Sequence, residues 1–550
     1  MATSSDRQAV ETKGAEDSRG PIRPQEAEWQ MWSWSFISTY IALALSVFCV
    51  ALDNTIIATA VPRITDDFKA IKDIGWYGSA YLLPTCAFQL MFGRLYSRYS
   101  AKWTFMVALF FFEVGSLVCA VAPTSTAFII GRAIQGIGAA GVFSGAMLIV
   151  GMIVPRKHVP AFQSMVGVMF GVSSIVAPLT PMLDCCVDLA NGVGCFYINL
   201  PIGGVSAVLL LFFLRVPSKP RLESFSWQLI SIFDPVGLAL FLASIICLLL
   251  ALEWGDVVYP WSDWRLIVVL VFFAVCLIGF VVDQLAMEDN ATIPPRLARQ
   301  RTLASMSFFM FCLFGYFSTI LYFIPIYFQA IKSASAEGSG IRMIPFIVAN
   351  VIASVLAGVL VSKTGHYLPF FYASSVISSL GAGLISTFQV DTSAGEWIGY
   401  QILIGVGAGL AFQLPPSVIQ LVLKAEDVPV GLASNLMLEF LGGSVFVSAA
   451  NNLFNSRLRS YIDALEIPGV QSSDVVSGGA TSLQDIVPAE DLPRALRAYM
   501  EALRWPFRLS LILACLGTLG VVAMERRTMR DEQAEVQQDE NGSAVVLSPS

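Results

Sequence analysis

The chain has 550 residues, 56% of them hydrophobic and only 13% charged, and its net charge is −7. Because soluble domains contain about 25% charged residues, this composition excludes a string of ordinary soluble domains and indicates a polytopic membrane protein. Ten cysteines without paired CxxC spacing and only two histidines argue against a zinc site or a disulfide scaffold. We expect no metal, no other cofactor and no nucleic-acid partner.

The apolar runs predict an all-α fold with fourteen transmembrane helices. Residues 1–35 and 525–550 are polar and charged, and we expect both to be disordered cytoplasmic tails. A membrane-spanning helix needs about 20 predominantly apolar residues. Runs of this length lie near 36–58, 74–93, 103–122, 127–152, 161–183, 195–214, 235–254, 265–285, 304–329, 341–362, 368–388, 397–423, 430–451 and 507–524.

The distribution of basic residues predicts the orientation. With a cytoplasmic N-terminus, the loops after even-numbered runs face inward, and cytoplasmic loops are enriched in Lys and Arg. These loops and the segment after the last run hold Arg94, Arg98, Lys102, Arg156, Lys157, Arg215, Lys219, Arg221, Arg296, Arg299, Arg301, Lys363, Lys424, Arg526, Arg527 and Arg530. The opposing short loops 123–126, 184–194, 255–264 and 389–396 contain neither residue type. The asymmetry predicts fourteen spans with both termini in the cytoplasm.

One long outer loop is predicted at 452–506. In its later part, between Glu490 and Leu503, the apolar side chains share one face of a helix: Leu492, Leu496, Tyr499 and Leu503. We expect a short amphipathic helix lying on the outer surface of the membrane. A lid over a central cavity is the alternative for the same segment.

Asp53 stands at the end of the first apolar run. At helical spacing before it lie small and polar side chains, namely Cys49, Ser46, Ala42 and Thr39. Such a stripe packs against other helices or a water-filled cavity, not against lipid. A charged group at membrane depth costs about 2.5–3.5 kcal/mol, so Asp53 is a functional candidate. The alternative is an acid near the membrane edge that is solvated or caps a turn.

Arg132 is a second charged residue inside an apolar run. A guanidinium there must face protein or water and needs an acidic or carbonyl partner. Gln135, one turn later, shares its face, and Glu113 is the other acid in this half of the chain. The sequence predicts an interior charge set of Asp53, Glu113 and Arg132, in which protonation of the acid weakens its hold on the arginine. A static pair that only fixes helix packing is the alternative.

Four motifs carry a resemblance to a known family. They are LDNTIIATAVP at 52–62, GRLYSRYSAKW at 93–103, RAIQGIGAAG at 132–141 and CFYINLPIGG at 195–204. Through them, residues 36–524 resemble the major facilitator superfamily, specifically its fourteen-helix drug:proton antiporters and the fungal toxin and multidrug efflux pumps among them. The resemblance implies two six-helix bundles, 36–214 and 304–524, separated by a linker, 215–303, with two extra transmembrane helices.

The resemblance also implies a function. It indicates a proton-coupled transporter in the plasma membrane, not an enzyme, that exports a hydrophobic small molecule by alternating access. The cargo would be a fungal secondary metabolite, toxin or drug, and we expect a monomer in the bilayer. Asp53, Glu113 and Arg132 would couple proton entry to substrate exit. A proton-coupled importer of an organic substrate such as a siderophore chelate, and a non-transporting membrane sensor, remain alternatives.

A conformational latch is a further implication of the resemblance, and the chain departs from the family pattern there. The latch residues would be Gly93, Arg94, Arg98, Lys102 and Pro178. Ser97 stands where the family usually has an acid, and 177–182 keeps Pro178 but lacks the usual glycines. The inference of antiport from the fifth helix is weaker for that reason. Near the following outer loop, Cys185, Cys186 and Cys195 could be free or include one disulfide.

The substrate site is expected between the bundles. An apolar and aromatic cavity with a few polar groups suits an amphipathic organic molecule. Polar and aromatic residues of the apolar runs supply the candidates: Asn54, Gln89, Gln135, Phe317, Tyr322, Gln329, Asn350, Gln413, Asn435 and Glu439. For each aromatic residue, contact with lipid or core is the alternative.

Overall fold

The computed structural model describes residues 33–68, 74–176, 194–216, 234–255, 259–288, 291–478 and 483–526. Within these ranges the chain is helical and contains no β-strand. We number the helices of at least 15 residues from α1 to α14. They are α1 Trp34–Phe68, α2 Ile74–Arg98, α3 Ala101–Ala120, α4 Ser125–Ile153, α5 Val159–Val176, α6 Asn199–Phe213, α7 Pro235–Trp254, α8 Trp264–Met287, α9 Arg301–Ala330, α10 Ile344–Thr364, α11 Leu368–Ile385, α12 Ala394–Phe412, α13 Val428–Asp463 and α14 Leu492–Ala523.

Twelve of these helices are long and apolar enough to cross a membrane, three of them together with a short adjoining helical turn. The exceptions in the described part of the chain are α2 and α5. The all-α membrane fold is therefore confirmed, whereas the count of fourteen spans stays a prediction. The surface of α8 exposes a broad band of aliphatic and aromatic side chains, as expected of a helix that faces lipid.

Local sequence explains where several helices begin and end. The Thr124 side chain accepts a hydrogen bond from the backbone N–H of Ala127 and caps α4. Ser393 and Glu396 form a capping box at the start of α12. The run predicted at 397–423 is broken after α12, and a short helix Pro415–Val422 follows. Proline is tolerated in a first helical turn, so Pro415 and Pro416 start the new helix.

The helices pack as two groups of six, α1–α6 and α9–α14, which we name the first and second bundles. Helix α4 is the most deeply buried helix of the first bundle. Its glycines permit close approach, because a Cβ on Gly136 would lie 2.3 Å from the Tyr81 carbonyl oxygen of α2. Helices α7 and α8 pair with each other, and α7 also contacts α2 and α13.

Within the described residues, arginine- and lysine-containing connections meet at one end of the molecule, which we name the basic end. Ser97 donates a hydrogen bond to the Glu426 carbonyl oxygen (3.2 Å), so the loops after α2 and α12 are adjacent. The Arg301 Nε donates to the Ala523 carbonyl oxygen (2.7 Å) at the end of α14. The other end, where Lys332 after α9 donates to the Val390 and Thr392 carbonyl oxygens after α11 (2.8 and 2.9 Å), is named the far end.

The prediction of a separate surface helix in the long outer loop is wrong. Residues 492–503 belong to α14, which continues without a break to Ala523, and α13 extends to Asp463. With 36 and 32 residues, the two helices are about 54 and 48 Å long, against about 30 Å for the hydrocarbon core. Tyr499 packs on Phe454 of α13 (5.4 Å between ring centroids), so the apolar face covers protein and not membrane.

Asp234 joins the two extra helices at the basic end. It caps α7 in a left-handed conformation (φ 48°), and its carboxylate accepts hydrogen bonds from Gly237, Gln284 and Thr292 at 2.7–3.0 Å. The Gln284 side chain in turn accepts from the backbone N–H of Ile293 (2.7 Å). The start of α7, the end of α8 and the segment after α8 are thus held by one buried carboxylate.

Candidate functional site

Asp53 of α1 and Arg132 of α4 form a salt bridge in the interior of the first bundle. Both side chains are buried, with at most 1% of their surface exposed. A buried ion pair is stable only when further hydrogen bonds satisfy its remaining donors and acceptors. The expected contact between the first-helix acid and the fourth-helix arginine is therefore present.

Three polar side chains surround the pair. Gln135 donates to the Asp53 Oδ1 (2.7 Å) and accepts from the Arg132 Nη1 (3.0 Å), so it bridges both charges. Its amide also donates to the Ser116 hydroxyl of α3 (2.7 Å). The Asn199 amide, at the start of α6, donates to the same hydroxyl (3.2 Å) and lies 3.5 Å from the Asp53 Oδ1. Four helices of the first bundle thus meet at one carboxylate.

Arg132 has further contacts that orient its guanidinium. The Nε donates to the Tyr77 carbonyl oxygen (3.1 Å), and the guanidinium carbon lies 4.3 Å from the Tyr81 ring centroid and 5.6 Å from that of Phe196. The buried Nη2 makes no hydrogen bond with any described residue. One guanidinium donor therefore remains for water or for a ligand.

Glu113 lies apart from this hydrogen-bond network. Its carboxylate contacts α6, where a Cβ on Gly203 would lie 1.6 Å from its Oε1. Neither oxygen has a hydrogen-bond partner among the described residues. The charge set expected from the sequence is thus a bonded Asp53–Arg132 pair with a separate second acid.

An aromatic cluster crosses from one bundle to the other. In the second bundle Phe317 lies 5.0 Å from Phe346 and 5.1 Å from Phe412, measured between ring centroids. Phe314 links these rings to Phe440, which contacts Phe143 of the first bundle at 6.1 Å. Phe170 of α5 completes the cluster beside Phe143. Of the aromatic candidates proposed from sequence, Phe317 is the one in this cluster.

Several candidate polar side chains have buried atoms without a hydrogen-bond partner. Both amide atoms of Gln89, and the amide nitrogens of Asn350 and Asn435, have no partner in the described chain. Gln413 abuts Gly167 of α5, where a Cβ would lie 2.5 Å from its Cδ. Glu439 is buried on the face of α13 that carries Asn435. Unpaired buried amides are costly and mark groups that water or substrate would satisfy.

Four other candidates lie elsewhere. Gln135 is engaged with Asp53, as described, and Asn54 is half-buried beside it on α1. Gln329 donates to the Ser339 hydroxyl (2.9 Å) at the far end of α9. Tyr322 is 48% exposed and contacts Phe323 edge-to-face, outside the aromatic cluster. The structure therefore does not bring Gln329 or Tyr322 to the centre.

The residues expected to form a latch are divided by the structure. A Cβ on Gly93 would lie 2.4 Å from the Cβ of Ala433, so α2 and α13 are in contact there. The next residue, Arg94, is buried. Arg98 is half-buried at the end of α2. Lys102 instead donates to the carbonyl oxygens of Leu211 (2.7 Å) and Leu214 (3.2 Å) at the end of α6. Pro178, Cys185 and Cys186 lie outside the described residues, and only the backbone of Cys195 is described.

Other contacts between the bundles also lie towards the basic end. The Ser417 hydroxyl donates to the Gln163 side chain (2.5 Å), and the Gln420 amide donates to the Met147 carbonyl oxygen (3.0 Å). A Cβ on Gly358 would lie 2.6 Å from the Pro160 carbonyl oxygen. The two bundles are thus closed against each other at the basic end.

Some site residues were not selected from the sequence. Asn199 lies inside one of the recognised motifs, yet neither it nor Ser116 was expected at the charge pair. Arg296, after α8, makes a bidentate ion pair with Asp427 at the start of α13 (2.6 and 2.7 Å). Small polar residues are common in membrane helices, so only the fold shows which ones meet.

A family model for the Major Facilitator Superfamily matches residues 43–447. The chain belongs to this superfamily. Efflux pump roqT of Penicillium rubens is 44% identical over 511 residues, which cover 93% of this chain and 94% of the pump. Efflux pump aflT of Aspergillus parasiticus is 44% identical over 90% of this chain and 96% of the pump. The resemblance to fungal efflux pumps expected from the four motifs is confirmed.

Solved structures of this superfamily share the fold. The proton:xylose symporter XylE superposes with a TM-score of 0.57 at 13% identity, covering 90% of this chain and 98% of the symporter. The human organic anion transporter MFSD10 gives a TM-score of 0.51 at 14% identity, with coverage of 86% and 98%. At these identities the likeness shows the fold alone, and it confirms the major facilitator fold predicted from the sequence.

Proposed function

We propose that this Major Facilitator Superfamily transporter exports a hydrophobic small molecule in exchange for protons. The buried Asp53–Arg132 pair is the observation that carries the proposal. It unites a protonatable carboxylate and a fixed cation in the interior of one bundle, where a change of protonation has the largest electrostatic effect. The relatives named as fungal efflux pumps favour export over import.

The proton step follows from the contacts of Asp53. As a carboxylate it holds Arg132 and Gln135, which connect α1 to α4. Protonation removes the negative charge, so the ion pair is lost and the guanidinium is free to reach another acceptor. Arg132 Nη2 has no partner in the described chain, so this donor is available to a second acceptor in the cycle. We propose Glu113 as a second acid that responds to the charge on Asp53.

The substrate would bind between the bundles, at the aromatic cluster and at unpaired amides of α2, α10 and α13. Flat rings on both bundles suit an apolar, aromatic or polycyclic body, and the Gln89, Asn350 and Asn435 amides supply a few hydrogen bonds. Such a site suits a hydrophobic secondary metabolite or drug better than it suits a sugar. Glu439 and Gln413 would add polarity at the rim.

Transport would proceed by alternating access. We propose that the basic end faces the cytoplasm, in accord with the positive-inside rule, and that the structure represents the state closed to the cytoplasm. Gly93, Ser97 and the seam around Gln163 would then be the cytoplasmic gate. The plasma membrane is the expected location, with both termini inside.

The test is efflux of a panel of fluorescent hydrophobic compounds from cells that express the chain, with and without a protonophore. We expect at least one compound to leave faster from expressing cells and this gain to vanish with the protonophore. Cells without the chain are the control. Efflux that survives the protonophore would contradict proton coupling, and substrate-dependent uptake without any efflux would replace the exporter with the importer.

A further inference from the structure

A cavity of about 140 Å³ lies at the basic end, distinct from the charge pair and the aromatic cluster. The first bundle lines it with Leu148, Met152 and Val159, and the second with Leu421, Leu423 and Val428. Its walls are therefore mainly apolar. Because both bundles contribute, the cavity is complete only while the basic end is closed.

One charged side chain, Arg156, lines this cavity. Arg156 is exposed, and it makes no ion pair with an acid in the part of the chain that the structure describes. The polar side chains of the wall are already engaged, since Ser417 bonds to Gln163 and Gln420 bonds to the Met147 carbonyl oxygen. The Arg156 guanidinium is thus the polar side-chain group available to a ligand, and a guanidinium binds anionic groups such as carboxylates.

Size and charge together define the ligand class. A protein cavity of roughly 150 Å³ with apolar walls holds a molecule the size of benzene. We propose that this cavity binds a small aromatic carboxylate of about the size of benzoate, with its ring between the leucine walls and its carboxylate on Arg156. A guanidinium binds a carboxylate through two parallel hydrogen bonds, which a neutral ligand of the same shape lacks.

Binding at this place has a consequence for the transporter. A ligand that binds only the closed arrangement stabilises it by mass action. The occupant therefore slows the cycle without competing at the aromatic cluster. This regulatory consequence rests on the proposed function, whereas the binding itself does not.

The binding test uses the full-length protein purified in detergent, with thermal unfolding followed during titration with benzoate. We expect benzoate to raise the melting temperature and benzyl alcohol, its neutral counterpart, to leave it unchanged at equal concentration. Arg156→Gln should raise the apparent Kd for benzoate at least about tenfold. Lys157→Gln is the matched control, since Lys157 is an exposed neighbour that does not line the cavity.

A second variant protects the test against misfolding of the first. Leu423→Trp fills the cavity from the other bundle and should abolish the response to benzoate while Arg156 stays in place. An equal shift with benzyl alcohol, an unchanged Kd in Arg156→Gln, or a shift with anionic lipid and none with benzoate would overturn the proposal. Inhibition of efflux by benzoate in the wild type, and its loss in Arg156→Gln, tests the regulatory part separately.

Discussion

Asp53 is held by side chains that also hold one another. Gln135 is central, because it bonds to Asp53, Arg132 and Ser116 together. The need for a partner to Arg132 could be predicted from the cost of a lone charge in a membrane. The roles of Ser116 and Asn199 as further partners could not be predicted, since a neutral side chain does not require a charged partner. Residue chemistry therefore predicted the pair, and only the packing of four helices supplied its surroundings.

We expect Gln135→Leu to destabilise the protein by about 1–3 kcal/mol, because buried partners lose their hydrogen bonds. Thermal unfolding of the purified protein measures the change. Gln401→Leu is the matched control, since the Gln401 amide is fully buried and has no hydrogen-bond partner in the described residues. That control should be neutral or stabilising. An equal loss in the two variants would mean that the network around Asp53 contributes nothing.

Asp234 gives a pH-dependent prediction outside the membrane-spanning segments. Burial raises the pKa of its carboxyl, but hydrogen bonds from Thr292, Gln284 and the backbone of Gly237 lower the pKa by more, so the net pKa is below its usual value. A group with a lowered folded-state pKa stabilises the fold above its unfolded pKa of about 3.9 and loses this contribution as the pH falls further.

Asp234→Asn should therefore lower the melting temperature at pH 7, and the difference from the wild type should shrink as the pH falls below about 4. Asparagine tolerates the left-handed backbone at this position, so the substitution tests the charge and not the conformation. Asp263→Asn is the control, because Asp263 caps α8 by accepting one hydrogen bond, from the backbone N–H of Arg265, at a partly exposed site. Its effect should be smaller, and a reversed order of the two variants would contradict the role given to Asp234.

Helix lengths mark where sequence patterns stop being informative. The apolar run at 507–524 predicts the part of α14 inside the bilayer, not the helix itself, which begins fifteen residues earlier at Leu492. The earlier residues are charged on one side, so hydropathy assigns them to a loop. Their apolar side packs on the extension of α13, with the Trp505 indole donating to the Tyr461 hydroxyl (3.2 Å). The predicted surface helix and the last apolar run are therefore one helix. The tertiary contacts at the far end that stabilise it are not visible in the local sequence pattern.

The contact between α5 and α10 gives a prediction for the gate. Gly358→Ala would place a methyl group 2.6 Å from the rigid Pro160 carbonyl oxygen, so we expect it to disfavour closure at the basic end. A cysteine introduced at Ser417, which is buried in the closed seam, reports the change through its labelling by a membrane-impermeant maleimide in inside-out vesicles. Labelling should rise several-fold in the Gly358→Ala background.

The control for this variant is Gly399→Ala in α12, where an added Cβ would meet no atom within 4 Å. It should leave the labelling of the introduced cysteine unchanged. If both alanine variants label alike, or if Gly358→Ala stays as protected as its parent, the α5–α10 contact does not control the gate.

The whole molecule combines a charge pair inside one bundle with the proposed gate and an aromatic cluster between the bundles. The major facilitator fold was predicted from the resemblance that the four motifs carry, and the family match and the solved structures bear it out. The aromatic cluster was not predicted, because phenylalanines are frequent in the apolar runs. Only their contacts across α4, α5, α9, α10, α12 and α13 set seven of them apart. The gate and the cluster must respond to the protonation of Asp53 if the transport is coupled.

Reconstituted vesicles test that coupling most directly, with a compound that the cellular panel shows to be exported. We expect Asp53→Asn to keep exchange of the compound across the membrane at equal pH, since exchange needs only alternating access, but to lose uphill transport driven by a pH gradient. Asp391→Asn, which alters an acid in a far-end loop, should keep both activities. Uphill transport by Asp53→Asn that still follows the pH gradient would contradict the role of Asp53 as the proton carrier.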